Sequence, residues 1–172
     1  MSGIATSTQK FVRVLQGTKT KILDTRKTTP GLRSLEKYAV KMGGGVNHRF
    51  NLSEMVLIKD NHLKVVGSIS QAVKSAKERI KPGVRVEVEA TSIEEVQEAV
   101  QSGADMIMLD NMPKEAMKEA VKRVKEKVPL EVSGKVSLRR VKEIASLGVD
   151  FLSVGSLTHS YKSVDISIEF LR

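Results

Sequence analysis

Five side chains able to carry positive charge, Arg26, Lys27, His48, Arg49 and Lys59, cluster in the first part of the chain beside short apolar runs. An arginine offers a planar fork to a carboxylate or phosphate and a lysine a compact point charge, so together they suit a multiply charged anion. Glu89 and Asp110 follow. Their hard oxygens suit Mg²⁺ or sugar hydroxyls. Ser133-Gly134 and Gly155-Ser156 come last, where backbone N–H groups near helix starts suit a terminal phosphate. In chain order the set reads as acid-binding cations, metal or ribose carboxylates, then phosphate loops. That layout describes a phosphorylated sugar meeting an anionic partner.

Positioning these groups requires a scaffold that brings distant loops to one rim. The stretch 22–33 shows how. Ile22 and Leu23 read as a buried strand, the polar run Thr25-Arg26-Lys27-Thr28 follows at its C-terminal end, and Pro30-Gly31 breaks the chain before a helix. Leu32, Leu35, Tyr38, Ala39 and Met42 are predicted to form that helix's inward face over residues 31–42. Gly43-Gly44-Gly45 ends it and permits close backbone approach. A helix is also predicted at 2–16, strands at 20–24, 55–58, 84–90, 106–109, 130–132 and 151–154, and helices at 70–80, 92–102, 113–127 and 137–147. Val84, Val86 and Val88 alternate with Arg85, Glu87 and Glu89, which reads Glu87 as a solvent-facing sibling of Glu89. Ser92 and Glu95 form a capping-box pattern. Ile166, Ile168 and Phe170 alternate near the end and predict one more extended segment.

Strand and helix thus alternate about six times, the pattern of parallel strands with right-handed crossovers. Almost every strand runs into a polar or glycine-bearing tip, as in a β/α barrel with its site on one rim. The fold class expected is α/β, a TIM-barrel-like, incomplete or open barrel of about six parallel strands in a single domain over 1–172. No Gly-x-Gly-x-x-Gly fingerprint occurs to favour a doubly wound dinucleotide fold.

Composition narrows the function further. The chain has 172 residues and a formal net charge of +9, so an anionic partner is expected. Aromatics are only 3% of residues, which argues against a stacking platform for single-stranded nucleic acid. Cysteine is absent, excluding a thiolate metal site, a cysteine nucleophile and disulfides. That fits a cytoplasmic setting. The sequence shows no signal-peptide pattern and no apolar run of membrane-spanning length.

Thr25-Arg26-Lys27-Thr28-Thr29-Pro30-Gly31-Leu32-Arg33, Asn47-His48-Arg49, Leu57-Ile58-Lys59-Asp60-Asn61-His62, Glu87-Val88-Glu89, Met108-Leu109-Asp110-Asn111, Ser133-Gly134 and the run from Ser153 to Ser160 resemble the quinolinate phosphoribosyltransferases, specifically their barrel domain. The resemblance implies transfer of a phosphoribosyl group from phosphoribosyl pyrophosphate to quinolinate, with Mg²⁺, giving nicotinate mononucleotide, pyrophosphate and CO₂. It implies that Arg26, Thr28, His48 and Arg49 serve substrate binding, the last two with Arg26 on the quinolinate carboxylates. Lys27 and Lys59 would contact carboxylate or pyrophosphate. Glu89 and Asp110 would take ribose hydroxyls and the metal, with Ser133, Gly134, Gly155 and Ser156 on the ribose 5-phosphate and His159 near the pyrophosphate. It also implies a homodimer and an additional N-terminal α/β sandwich domain, which the sequence from Met1 does not include. A barrel without that domain is expected to be impaired. The alternatives are a catalytically silent barrel that still binds phosphate or other anions, and a basic nucleic-acid-binding module. Lys135 departs from the glycine or asparagine usual in the family after Ser-Gly.

Overall fold

The computed structural model describes residues 1–171. A first helix, α1 (Ser2–Val14), precedes β1 (Lys21–Leu23) and α2 (Arg33–Met42). Next come β2 (Met55–Ile58), α3 (Asp60–Val66), α4 (Ile69–Lys77), β3 (Arg85–Ala90) and α5 (Ile93–Gln101). β4 (Met106–Asp110), α6 (Lys114–Val124), β5 (Leu130–Ser133), α7 (Leu138–Ala145), β6 (Phe151–Ser153) and α8 (Ser156–His159) complete the chain. The six strands form one parallel sheet in the order β1-β6-β5-β4-β3-β2. This is the order of a ring opened between β1 and β2. At that opening an isolated bridge joins Leu23 to Val46, in the segment that leads to β2.

Each strand alternates its side chains between two covered layers. Val86, Val88 and Ala90 of β3, with Ile107 and Leu109 of β4, Val132 of β5 and Leu152 of β6, join the helices in the main apolar core. The opposite register, including Leu57, Glu87, Met108, Glu131 and Ser153, faces the inside of the curved sheet. Glu87 is therefore not solvent-facing as the alternation suggested. Its relative exposure is 0%, because the second face of a closed-over parallel sheet is interior rather than water.

The predicted inward face of α2 is also corrected. Leu35, Tyr38 and Met42 are 51%, 60% and 55% exposed, while Glu36 and Lys37 are buried with Ala39 and Val40. Two charged residues turn inward because they hold the loops of the rim. Lys37 Nζ donates to Asp24 Oδ1 and, at 2.9 Å, to the His48 carbonyl. Glu36 accepts the Thr29 amide at 3.1 Å. Hydrophobicity favours the other face, but hydrogen bonds to otherwise unsatisfied loop groups decide the orientation.

The triple glycine performs the close approach expected of it. A Cβ on Gly43 would lie 2.4 Å from the Ala5 carbonyl oxygen, and one on Gly45 would lie 2.8 Å from Thr8 Cγ2. Both therefore let α1 seat against the end of α2. The Ser92 hydroxyl accepts the Glu95 amide at 3.2 Å, whereas Glu95 reaches Thr91 rather than completing the box on Ser92. Helix α3 has no counterpart among the elements predicted from sequence. The His62 ring accepts the Lys59 amide at 2.9 Å and starts it. The predicted extended segment around Ile166, Ile168 and Phe170 forms no strand, and these side chains are 80%, 82% and 93% exposed.

Candidate active site

The C-terminal ends of all six strands, or the loops that follow them, open on one cleft of about 680 Å³. Its lining contains Arg26, Lys27, His48, Arg49, Lys59, Glu89, Asp110, Ser133, Gly134, Gly155, Ser156 and His159. Every one of these was singled out from sequence. Thr28 is the exception. It stands outside the lining, and its hydroxyl accepts Arg33 Nε at 3.0 Å, bracing the loop after β1.

The cationic wall is built on a buried ion pair. Asp24, at the end of β1, is 0% exposed and Lys37 only 3%. Besides Lys37, Asp24 accepts the Asn47 side-chain amide at 2.6 Å and the His48 backbone amide at 2.8 Å. One carboxylate thus joins the loop after β1 to the irregular segment bearing His48 and Arg49. Burial pushes the Asp24 carboxyl above its ordinary range, against the pull of Lys37. On this frame Arg49 donates through Nη1 to the Met55 carbonyl at 2.8 Å. Burial and the neighbouring Arg26 charge both lower the Arg49 pKa. Arg26 Nε is buried and has no hydrogen-bond partner among the described residues. Two guanidinium groups near enough to repel, one with an unused donor, form a site prepared for an anion.

On the next wall Lys59 Nζ lies 3.2 Å from Glu89 Oε2. Asp110 ends β4, and its Oδ2 accepts the Asn111 side-chain amide at 2.9 Å. Beyond it Ser133 is in register with Asp110. Gly134 has φ +90°, and a Cβ there would strike Asn111 Oδ1 at 2.1 Å. Only glycine leaves the loop open at that point. Lys135 follows in the left-handed region with φ +47° and lines the cleft, an unfavoured backbone for lysine. At the last wall, the Thr158 hydroxyl donates to the Lys27 carbonyl at 2.7 Å and ties α8 to the loop after β1.

The cleft floor holds a group that sequence reading missed. His48 Nε2 is 3.0 Å from Glu87 Oε2 and 3.4 Å from Glu131 Oε2. Glu131 is as buried as Glu87, and its Oε1 accepts the Ser153 hydroxyl. The other ring nitrogen, Nδ1, accepts the Arg49 amide at 2.7 Å. Burial and the Glu131 charge raise the Glu87 carboxyl to about 7. Burial opposes charge on His48, but hydrogen bonds to Glu131 and Glu87 outweigh it and raise the ring to about 9. The Arg49 amide, aimed at Nδ1, resists a second ring proton and favours placing it between the two carboxylates, which leaves Nε2–H as the donor.

With either placement the folded cluster keeps protons that the unfolded chain has released. The Glu87 contribution to stability is lost as pH rises from the ordinary carboxylate range through about 7. The His48 contribution, complete below about 6.5, is lost through about 9. The melting temperature of the parent is therefore expected to fall, relative to a Glu87→Gln variant, between pH 5 and pH 9 (about this range). Parallel melting curves for the two proteins would contradict it.

A family model described as quinolinate phosphoribosyl transferase, C-terminal domain, matches residues 4–169. The chain belongs to this family. It is 47% identical over 169 residues to a probable nicotinate-nucleotide pyrophosphorylase (carboxylating) of Bacillus subtilis, covering 98% of this chain and 58% of that protein. It is 46% identical to the Mycobacterium leprae nicotinate-nucleotide pyrophosphorylase (carboxylating), covering 98% of this chain and 60% of that one. A crystal structure of the nicotinate-nucleotide pyrophosphorylase of Ehrlichia chaffeensis superposes with a TM-score of 0.91 at 47% identity, over 95% of this chain and 59% of that chain. The chain thus spans about three-fifths of these relatives' length. The quinolinate phosphoribosyl transferase fold accounts for the open six-stranded sheet. No helix among the described residues is long and apolar enough to cross a membrane.

Proposed function

We propose that this chain forms the barrel part of a nicotinate-nucleotide pyrophosphorylase (carboxylating), transferring a phosphoribosyl group from phosphoribosyl pyrophosphate to quinolinate in pyridine nucleotide biosynthesis. The observation that carries the reading is the single cleft in which a paired-arginine wall faces carboxylates and a glycine-bearing loop. Arg26 and Arg49 bind the two quinolinate carboxylates and orient the ring nitrogen toward C1 of the ribose. Ser133, Gly134, Gly155 and Ser156 bind the 5-phosphate. Lys27, Lys59 and His159 bind the pyrophosphate. Pyrophosphate leaves through a cationic, oxocarbenium-like state, which Glu89 and Asp110 stabilise as anions. The ring nitrogen forms the new bond to C1. The pyridinium that results stabilises the electron pair left on the adjacent ring carbon as its carboxylate departs as CO₂, and that carbon then takes a proton from water, so no protein nucleophile is needed.

Glu89 and Asp110 also fit Mg²⁺. They end adjacent parallel strands, both line the cleft, and each keeps an oxygen beyond its contact with Lys59 or Asn111. Bound there, the ion would supply neutralisation of pyrophosphate charge. Homodimer formation belongs to the same reading. The exposed Leu35, Tyr38 and Met42 stripe on α2 supports a covering surface. Turnover is tested by following nicotinate mononucleotide formation from the two substrates with Mg²⁺. Product at a measurable, reduced rate is expected. Anion binding without any product would instead support the silent barrel.

A further inference from the structure

Glu87 and Glu131 have no part in the chemistry above, yet both carboxylates are at 0% exposure. Their neighbours in the sheet interior include Leu57, Met106 and Met108. Burying two carboxylates together is unfavourable, and a barrel selected for stability alone would fill this place with apolar groups. Glu87 Oε1 has no partner and Glu131 Oε2 has only the 3.4 Å approach of His48. The arrangement is directed at one ring.

Its geometry is specific. Glu87 on β3 and Glu131 on β5 flank β4, being in register with Met106 and Met108 respectively. The His48 Nε2 lies between them. The Ser153 hydroxyl holds the far oxygen of Glu131, so that carboxylate cannot turn aside. The Arg49 amide at 2.7 Å occupies the Nδ1 lone pair, so the ring proton sits on Nε2, where Glu87 Oε2 accepts it at 3.0 Å and Glu131 Oε2 lies 3.4 Å away. His48 and Arg49 sit on a segment without regular structure, where side-chain placement depends on such anchors.

We infer that Glu87 and Glu131 are positioning residues of the dicarboxylate site: they select the Nε2–H tautomer of His48 and thereby hold the Arg49 backbone, and its guanidinium, at the cleft wall. The inference rests on the phosphoribosyltransferase reading of the cleft. A glutamine at either place can donate to Nε2 and so permit the Nδ1–H tautomer. That proton would oppose the Arg49 amide and displace it, the wrong-tautomer failure known from carboxylate-to-amide changes behind a histidine.

Two readouts on the whole chain test this. Long-range ¹H–¹⁵N spectra of the ligand-free protein, with His48 assigned by its loss in His48→Gln, should show one Nε2–H tautomer in the parent. The tautomer should be lost or averaged in Glu87→Gln and in Glu131→Gln. Calorimetry should show quinolinate binding weakened about tenfold or more in both variants, with inorganic phosphate affinity unchanged. If Glu87→Gln fails to fold, Glu131→Gln, which keeps an oxygen for Ser153, carries the same readouts. A retained tautomer in the foldable variants overturns the proposal. So does a lost tautomer with unchanged quinolinate affinity. A parent that binds no quinolinate overturns the phosphoribosyltransferase reading instead, and the spectra then decide the proposal alone.

Discussion

Arg26→Ala is expected to weaken quinolinate binding by roughly 30- to 150-fold, the equivalent of about 2–3 kcal/mol for lost charge-assisted hydrogen bonds. The folded protein should be no less stable for it. Arg26 Nε has no partner among the described residues, and the Arg26 charge acts against that of Arg49. Removing the side chain therefore relieves repulsion and breaks no ion pair. Calorimetry with quinolinate and a thermal melt of the same sample check both halves. A lowered melting temperature with unaltered affinity would assign Arg26 to the scaffold and remove it from the site.

Lys37→Met is expected to produce the opposite profile, with stability falling by about 3–5 kcal/mol, the cost of stranding one member of a buried ion pair. For a chain of this size that lowers the melting temperature by roughly 10 °C or more. Asp24 would retain the Asn47 and His48 amides but lose its ammonium, and burial would push its carboxyl higher still. Because the His48 carbonyl also loses its lysine donor, the segment carrying His48 and Arg49 should loosen and quinolinate affinity should drop with stability. Asp24→Asn combined with Lys37→Met should cost less than the two single changes summed, since neither charge is then left alone. Differential scanning calorimetry of the four proteins checks this. A Lys37→Met protein melting with the parent would show that the pair does not hold the rim together.

The contrast explains what sequence disclosed. The rim residues were legible because chemistry is written in residue type and strand ends punctuate the chain. Arg26, Lys59, Asp110 and Gly155 lie far apart in sequence but line one cleft, as parallel strands with a common C-terminal end require. The interior was not legible. Period-two alternation separates two faces of β3 but does not say whether the second face meets water or the inside of a curved sheet, so alternation alone misplaces Glu87. Glu131, on the short strand Leu130–Ser133, offered no pattern beyond a single charge among apolar neighbours. On α2, hydrophobic periodicity pointed to Leu35, Tyr38 and Met42, whereas loop groups needing partners drew Glu36 and Lys37 inward. Tertiary demand for hydrogen bonds overrode the amphipathic pattern there. The 166–170 alternation failed for a related reason. A strand needs a neighbour, and among the described residues none pairs with it.

Crystals of the chain grown with quinolinate and an unreactive phosphoribosyl pyrophosphate analogue test the central claim most directly. Both ligands are predicted in the one cleft, with the carboxylates on Arg26 and Arg49 and the 5-phosphate on Ser133, Gly134, Gly155 and Ser156. Ligands found apart, or a carboxylate site away from the paired arginines, would contradict the account.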